Sequence, residues 1–247
     1  MTQDQEQPLV AHLVELRNRL LKVVLTVLVL FLGLFYFAND LYLILVEPLA
    51  VLLPEDGQMI ATGVASPFLV PFKLTLVLAV LLAMPFILHQ VWGFISPGLY
   101  QHEKKFAMPL LVSSIVLFYS GILFAYYVVL PLAFGFFTAI GPDGIAITPD
   151  ISNILDFTLK IFFAFGFAFE IPVATFLMVL SGITTVQSLS EKRPYIFLGC
   201  FVVGMLVTPP DVISQTILAL PMYALFEGGV LAARMIKPQP EQDAAAN

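Results

Sequence analysis

Three acids stand out in a chain with few charges to spare: Glu15, Glu103 and Glu170. Glu15 lies in His12-Leu13-Val14-Glu15-Leu16-Arg17-Asn18-Arg19-Leu20, where Leu9, Leu13, Leu16 and Leu20 recur at helical spacing and predict an amphipathic helix able to lie along a membrane interface. The plain reading of Glu15 is an i, i+4 pair with Arg19, worth a few tenths of a kcal/mol. Glu103 lies in Tyr100-Gln101-His102-Glu103-Lys104-Lys105, and its plain reading is a solvated charge. Taken together, the two carboxylates could receive a cationic guest. A guanidinium suits them, because its planar fork binds a carboxylate through two parallel hydrogen bonds.

Glu170 sits in Phe165-Gly166-Phe167-Ala168-Phe169-Glu170-Ile171-Pro172. A carboxylate at mid-membrane depth costs several kcal/mol unless it is protonated, paired or hydrated. It is either a protonated acid bonded to a neighbouring helix or a group facing a hydrated hollow. Pro172 frees a backbone carbonyl nearby and predicts a bend. A last polar group, Thr208, Asp211, Ser214 and Gln215, brackets Thr208-Pro209-Pro210-Asp211. Asp211 reads as an N-cap, whereas Gln215 falls a turn later and can point into the membrane, where polar side chains join helices. His89 and His102 lack partners at metal spacing, Cys200 is the single cysteine, and no phosphate-cradling loop or serine triad is present.

The elements that must hold these residues are membrane helices. Of 247 residues, 60% are hydrophobic and 11% charged, and the mean hydropathy is +0.96. Too few polar side chains remain to cover a soluble globule, which argues against a soluble enzyme, a disordered chain and a nucleic-acid binder. Six apolar segments are expected at about Leu21–Ala38, Leu74–Ile95, Phe106–Leu130, Phe157–Leu180, Tyr195–Val207 and Val212–Ala233. Their apolarity on all sides selects helices over a barrel. The fifth reaches only about 20 Å against a hydrocarbon core of about 30 Å. Ser214, Gln215 and Pro221 interrupt the sixth. The last two are thus expected to be short, as a spanning hairpin that thins the bilayer or as a re-entrant pair.

Lys and Arg set the orientation. Arg17, Arg19, Lys22, Lys104, Lys105, Lys192, Arg193, Arg234 and Lys237 fall on one side, and only Lys73 and Lys160 lie toward the other. The first side is expected to be cytoplasmic, with both termini there, in a bacterial inner membrane. The two long outer segments, Asn39–Lys73 and Pro131–Asp156, are expected to carry interfacial or capping helices. One membrane domain over 1–237 and a short disordered tail at 238–247 complete the organisation.

The chain resembles the TatC family, the multi-span subunit of the twin-arginine protein translocase. The resemblance rests on His12 to Arg17, Met59 to Thr62, Phe94 to Pro97 continuing to His102-Glu103-Lys104, Phe169-Glu170-Ile171-Pro172, Lys192 to Tyr195, and Gly204 to Asp211 with Ser214-Gln215. It implies an all-α, concave fold with six transmembrane helices. It implies a non-enzymatic receptor without cofactor or metal, which binds Arg-Arg signal peptides of folded precursors. Export would then proceed with TatA- and TatB-type single-span partners, in an oligomeric complex among membrane lipids, driven by the proton-motive force. By family analogy Glu15, Glu103, Arg17, Leu9, Phe94 and Pro48 serve signal-peptide binding. Glu170 lines the intramembrane groove, Met205, Leu206, Thr208 and Gln215 dock a partner helix, and Asp211 shapes the outer turn.

Two rivals remain on the residues alone. One is a proton-coupled solute transporter using Glu170, a class that usually shows internal repeats and paired intramembrane charges. The other is a purely structural scaffold.

Overall fold

The computed structural model describes residues 3–50, 59–95, 104–139, 148, 150–208 and 212–235; side chains at 3–11, 48–50, 95, 104–106 and 137–139 lie outside that description. The described chain is helical apart from short connectors. Its helices are α1 (Gln3–Phe35), α2 (Ala38–Ala50), α3 (Ser66–Ile95), α4 (Lys104–Phe124), α5 (Leu130–Ala139), α6 (Ile151–Ala168), α7 (Ile171–Leu180), α8 (Val186–Glu191), α9 (Arg193–Val207) and α10 (Val212–Ala233). No strand occurs among the described residues, only an isolated parallel bridge between Ile60 and Asp150.

Five stretches are long and apolar enough to cross a membrane: His12–Phe35, Ser66–Phe94, Ala107–Phe136, Ile151–Leu180 and Val212–Ala233. The apolar helix Arg193–Val207, with 15 residues, falls short. Of the last two helices, therefore, only α9 is short. Pro221 lies inside α10 without ending it, and Ser214 is buried within the bundle.

The helices outrun their apolar cores for local reasons. No proline or glycine lies between Leu9 and Leu32, so the leucine stripe runs into the first span as one helix. The separate interfacial helix expected there does not form. α3 begins at Ser66, and Pro67 suits a first turn, where its missing N–H is no loss. Lys73 therefore belongs to a helix and not to the outer connector. α4 passes into a π-helical turn at Ala125–Val129, where the Leu130 amide donates to the Ala125 carbonyl. Pro131 sits in the first turn of α5 just beyond, so the helix continues past Leu130 instead of ending there. α6 starts at Ile151 because Asp150 caps it, accepting from the Ser152 and Asn153 amides.

Packing is antiparallel along most seams. α1 lies on α3, with Arg19 near Gly93 at one end and Phe31 against Phe72 at the other. α6 runs through the centre, touching α3, α4, α9 and α10. Phe118, Phe165, Leu74, Leu155, Ile161 and Leu218 are fully buried there. Two crossings demand glycine. A Cβ on Gly121 of α4 would lie 2.5 Å from the Phe165 carbonyl oxygen, and one on Gly229 of α10 would lie 2.7 Å from the Pro172 Cα. Small residues let membrane helices approach this closely, so that dispersion and weak polar contacts replace the hydrophobic drive that lipid removes.

Candidate functional site

The end of α3 and the early turns of α1 form the first site. Arg19 Nε and Nη2 donate to Glu15 Oε1 at 2.9 and 2.6 Å. Arg19 also reaches α3: Nη1 donates to the Gln90 carbonyl at 3.4 Å and its Oε1 at 3.3 Å, and Nη2 donates to the Gly93 carbonyl at 2.9 Å. His12 stacks on Phe94, with ring centroids 4.2 Å apart. The i, i+4 pair read from the sequence therefore exists, but it is one arm of a clamp that joins two helices. Phe94 belongs to this seam beside Glu15. Arg17 is exposed and donates to its neighbour Asn18 at 3.2 Å, away from the clamp. Glu103 and Asp211 lie outside the described residues, as do the side chains of Leu9 and Pro48 and the tail at 238–247.

Glu170 stands at the break between α6 and α7. Phe169 and Glu170 form a tight turn, and Pro172 opens α7. Proline has no amide to bond the carbonyl four residues back, so one long span becomes two segments. Ser114 of α4 is buried close to the Glu170 carboxylate. Glu170 Oε1 is buried without a hydrogen-bond partner among the described residues. Nearby, α3, α6 and α9 enclose an open concavity of about 460 Å3, walled by Val77, Leu159, Phe163, Phe167 and Leu206. Lys73, Asp156 and Lys160 lie on its charged side. Glu170 is not among its lining residues.

On the α9–α10 hairpin, Met205 and Leu206 are exposed and Thr208 is buried. The Thr208 hydroxyl is taken by the Gly204 carbonyl at 2.9 Å. Gly204 packs on the backbone of Gln215, which is half-buried. The four residues share one end of the hairpin, two facing outward and Thr208 inward. At the other end Arg193 Nη2 donates to Glu227 Oε2 at 2.6 Å, and the Tyr223 hydroxyl donates to Glu227 Oε1 at 2.8 Å.

A further polar cluster escaped the sequence reading. Asp150 caps α6 and also receives the Thr62 amide at 2.8 Å and the Thr62 hydroxyl. The Ile151 amide donates to the Ile60 carbonyl at 2.9 Å, and the Ser152 hydroxyl donates to that of Ser66 at 3.1 Å. The Thr62 hydroxyl, then its amide, hold the Asp150 carboxyl well below the usual carboxylate range, with Ser152 assisting. Burial, and then the Asp150 charge, push the Tyr42 hydroxyl up. An Asp one residue before an apolar run, with Ser and Asn following, was the available N-cap signal. Lys73 and Asp156 pair on the same side.

Against known proteins, residues 11–221 match the family described as Sec-independent protein translocase protein (TatC). The chain is 60% identical over 242 residues to the TatC protein of Azotobacter chroococcum, covering 98% of this chain and 95% of that one. It is 52% identical over 244 residues to that of Haemophilus influenzae, covering 99% and 95%. Its fold is similar to a crystal structure of the twin arginine translocase receptor TatC, with a TM-score of 0.80 at 36% identity, covering 90% of this chain and 98% of that one.

Proposed function

This chain belongs to the TatC family of Sec-independent protein translocase proteins, and from that premise we propose that it is the receptor subunit that reads Arg-Arg signal peptides on folded precursors. It is a polytopic membrane protein of a transport complex. The observation that carries the finer reading is Glu15, 40% exposed in its side chain and held by Arg19 at the α1–α3 seam, where His12 stacks on Phe94. A half-exposed carboxylate with a charged, oriented setting suits a guanidinium guest. Glu103, in the connector after α3, is assigned to the same site, with Leu9, Arg17 and Pro48 contributing.

The mechanism is stepwise. The arginine pair docks at Glu15 and Glu103 on the cytoplasmic face of a bacterial inner membrane, where both termini lie. The apolar part of the signal then enters the membrane beside the bend at Glu170. TatA- and TatB-type helices gather at Met205, Leu206, Thr208 and Gln215, and the proton-motive force drives transfer. The chemistry is binding and assembly, not catalysis.

The test is cross-linking of a photoreactive twin-arginine peptide to the protein in native membranes. Glu103→Lys and Glu15→Lys should each lower the yield at least about tenfold, the scale of one lost charge-assisted bond pair. A Lys-Lys peptide should be weak throughout. Unchanged yield in both variants would remove the two acids from the site.

A further inference from the structure

Arg19 is fixed more firmly than an exposed ion pair requires. The last carbonyls of a helix lack partners within it and carry the negative end of its dipole. α3 has no basic residue of its own in its last turn. Arg19 comes from α1 to fill that place, bonding the Gly93 carbonyl, one of the last four of α3, together with the Gln90 side chain and, at longer range, the Gln90 carbonyl one turn earlier. Its side chain is 24% exposed, against 40% for Glu15. The guanidinium is thus seated on α3 independently of Glu15, and Glu15 is the more open partner.

Both bonds from Arg19 to Glu15 end on Oε1. Among the described residues no hydrogen bond is made to Glu15 Oε2. One oxygen anchors the carboxylate, and among the described residues the other is left for a further donor. Gly93 supplies an independent sign that the seat is built. A Cβ there would lie 2.5 Å from Arg19 Nη1 and 3.2 Å from its Cζ. The obstructing atoms are the tip of a flexible side chain, so alanine at 93 would displace the guanidinium and leave the helices in place.

We propose that Arg19, seated on the bare backbone and carbonyl of Gly93 and on the Gln90 side chain at the end of α3, is the positioning residue that fixes Glu15 with one carboxylate oxygen open to an incoming guanidinium. The proposal rests on the reading of Glu15 as the guest's ligand. Arg19 does not compete with the guest, because its own seat is on α3. Its work is to remove the rotamer freedom that a half-exposed glutamate would otherwise lose on binding. A single fixed oxygen can still take two N–H groups of one guanidinium, as Oε1 takes Nε and Nη2 of Arg19, so Arg19 contributes to discrimination between arginine and lysine.

The experiment titrates Arg-Arg and Lys-Lys signal peptides against the full-length protein in lipid nanodiscs, with the thermal melt of each variant as a folding control. Arg19→Gln and Gly93→Ala should each weaken Arg-Arg binding about tenfold and narrow the Arg-Arg over Lys-Lys preference, with melts close to that of the parent. The double variant should be no weaker than either single one, because both act through the same guanidinium. Arg19→Lys, which keeps the charge but has three donors on one nitrogen for the four acceptors that the guanidinium fork spans, should not restore the preference. Tighter binding by Arg19→Gln would make Arg19 a competing self-ligand and overturn the proposal. Unchanged binding, additive losses, or equal loss for both peptides would also overturn it. Glu15→Gln separates the two levels. If it loses binding while Arg19→Gln does not, the positioning role alone fails. If Glu15→Gln binds normally, the assignment of Glu15 fails and the proposal with it.

Discussion

Asp150 and Thr62 are joined twice across 88 positions of sequence: the Thr62 amide and the Thr62 hydroxyl both donate to Asp150 Oδ2, while Oδ1 accepts from the Ser152 amide at 2.7 Å. One carboxylate thereby caps α6 and pins the segment that leads into α3. The segment before α3 is held to the start of α6 by backbone groups and hydroxyls around the Asp150 carboxylate.

That charge gives the fold an acid limit. A carboxyl whose pKa is lower folded than unfolded stabilises the fold above its unfolded pKa, and the contribution is lost as pH falls toward the folded value. The melting temperature in detergent should be level above about pH 5 and fall below about pH 4, the ordinary carboxylate range. Asp150→Asn should melt lower at pH 7 and lose less on acidification. Parallel acid profiles for the two proteins would show that the charge of Asp150 does not set the limit.

The crossing of α7 and α10 should be intolerant of one methyl group. Gly229→Ala puts a Cβ 2.7 Å from the Pro172 Cα and 3.0 Å from the Thr175 Cβ. Neither can move as a side-chain tip does, so the change should cost about 1–3 kcal/mol of overpacking. Its neighbour Gly228 has nothing within 4 Å of the same atom. Gly228→Ala should leave the melt within about 0.5 kcal/mol of the parent. Denaturation of the two variants side by side measures the difference.

The triad of Arg193, Glu227 and Tyr223 should couple α9 to α10. Side-chain exposures of 38% for Arg193 and 27% for Glu227 place the pair between a surface bridge and a buried one. Glu227→Gln should therefore destabilise by about 1–2 kcal/mol. Tyr223→Phe, which removes one neutral donor, should cost about 1 kcal/mol. Arg193→Gln and Glu227→Gln together should be less than additive in a double-mutant cycle. Additive losses would mean that the two residues act separately.

Ser114 is a buried hydroxyl close to the Glu170 carboxylate. Ser114→Ala should lower stability by about 1–3 kcal/mol if it leaves the acid unsatisfied. Glu170→Ala in the same background should then recover part of the loss, because both buried polar groups are gone. Melting of the single and double variants decides it.

The sequence by itself determined the helices. Long apolar runs must satisfy their backbone internally in lipid, and polar or Pro-rich connectors end them, so all-α membrane architecture was legible from composition and pattern. The bend before Pro172 was also legible, because a missing amide acts locally. So was the Glu15–Arg19 pair, set by helical spacing alone. The remainder depended on which helices meet. Helices that are apolar all round carry no stripe to show which face packs, and burial of apolar surface is non-directional. Nothing local says that Arg19 will find the end of α3, that Asp150 will hold Thr62, or that Lys73 will pair with Asp156. Nor does hydropathy show that α3 extends back to Ser66, whereas the Val212–Ala233 run read from the sequence is α10, through Pro221. The tertiary structure decided these points by bringing hydrogen-bonding groups far apart in sequence within 3 Å or so of each other, where an unpaired polar group in an apolar setting is costly enough to fix the match.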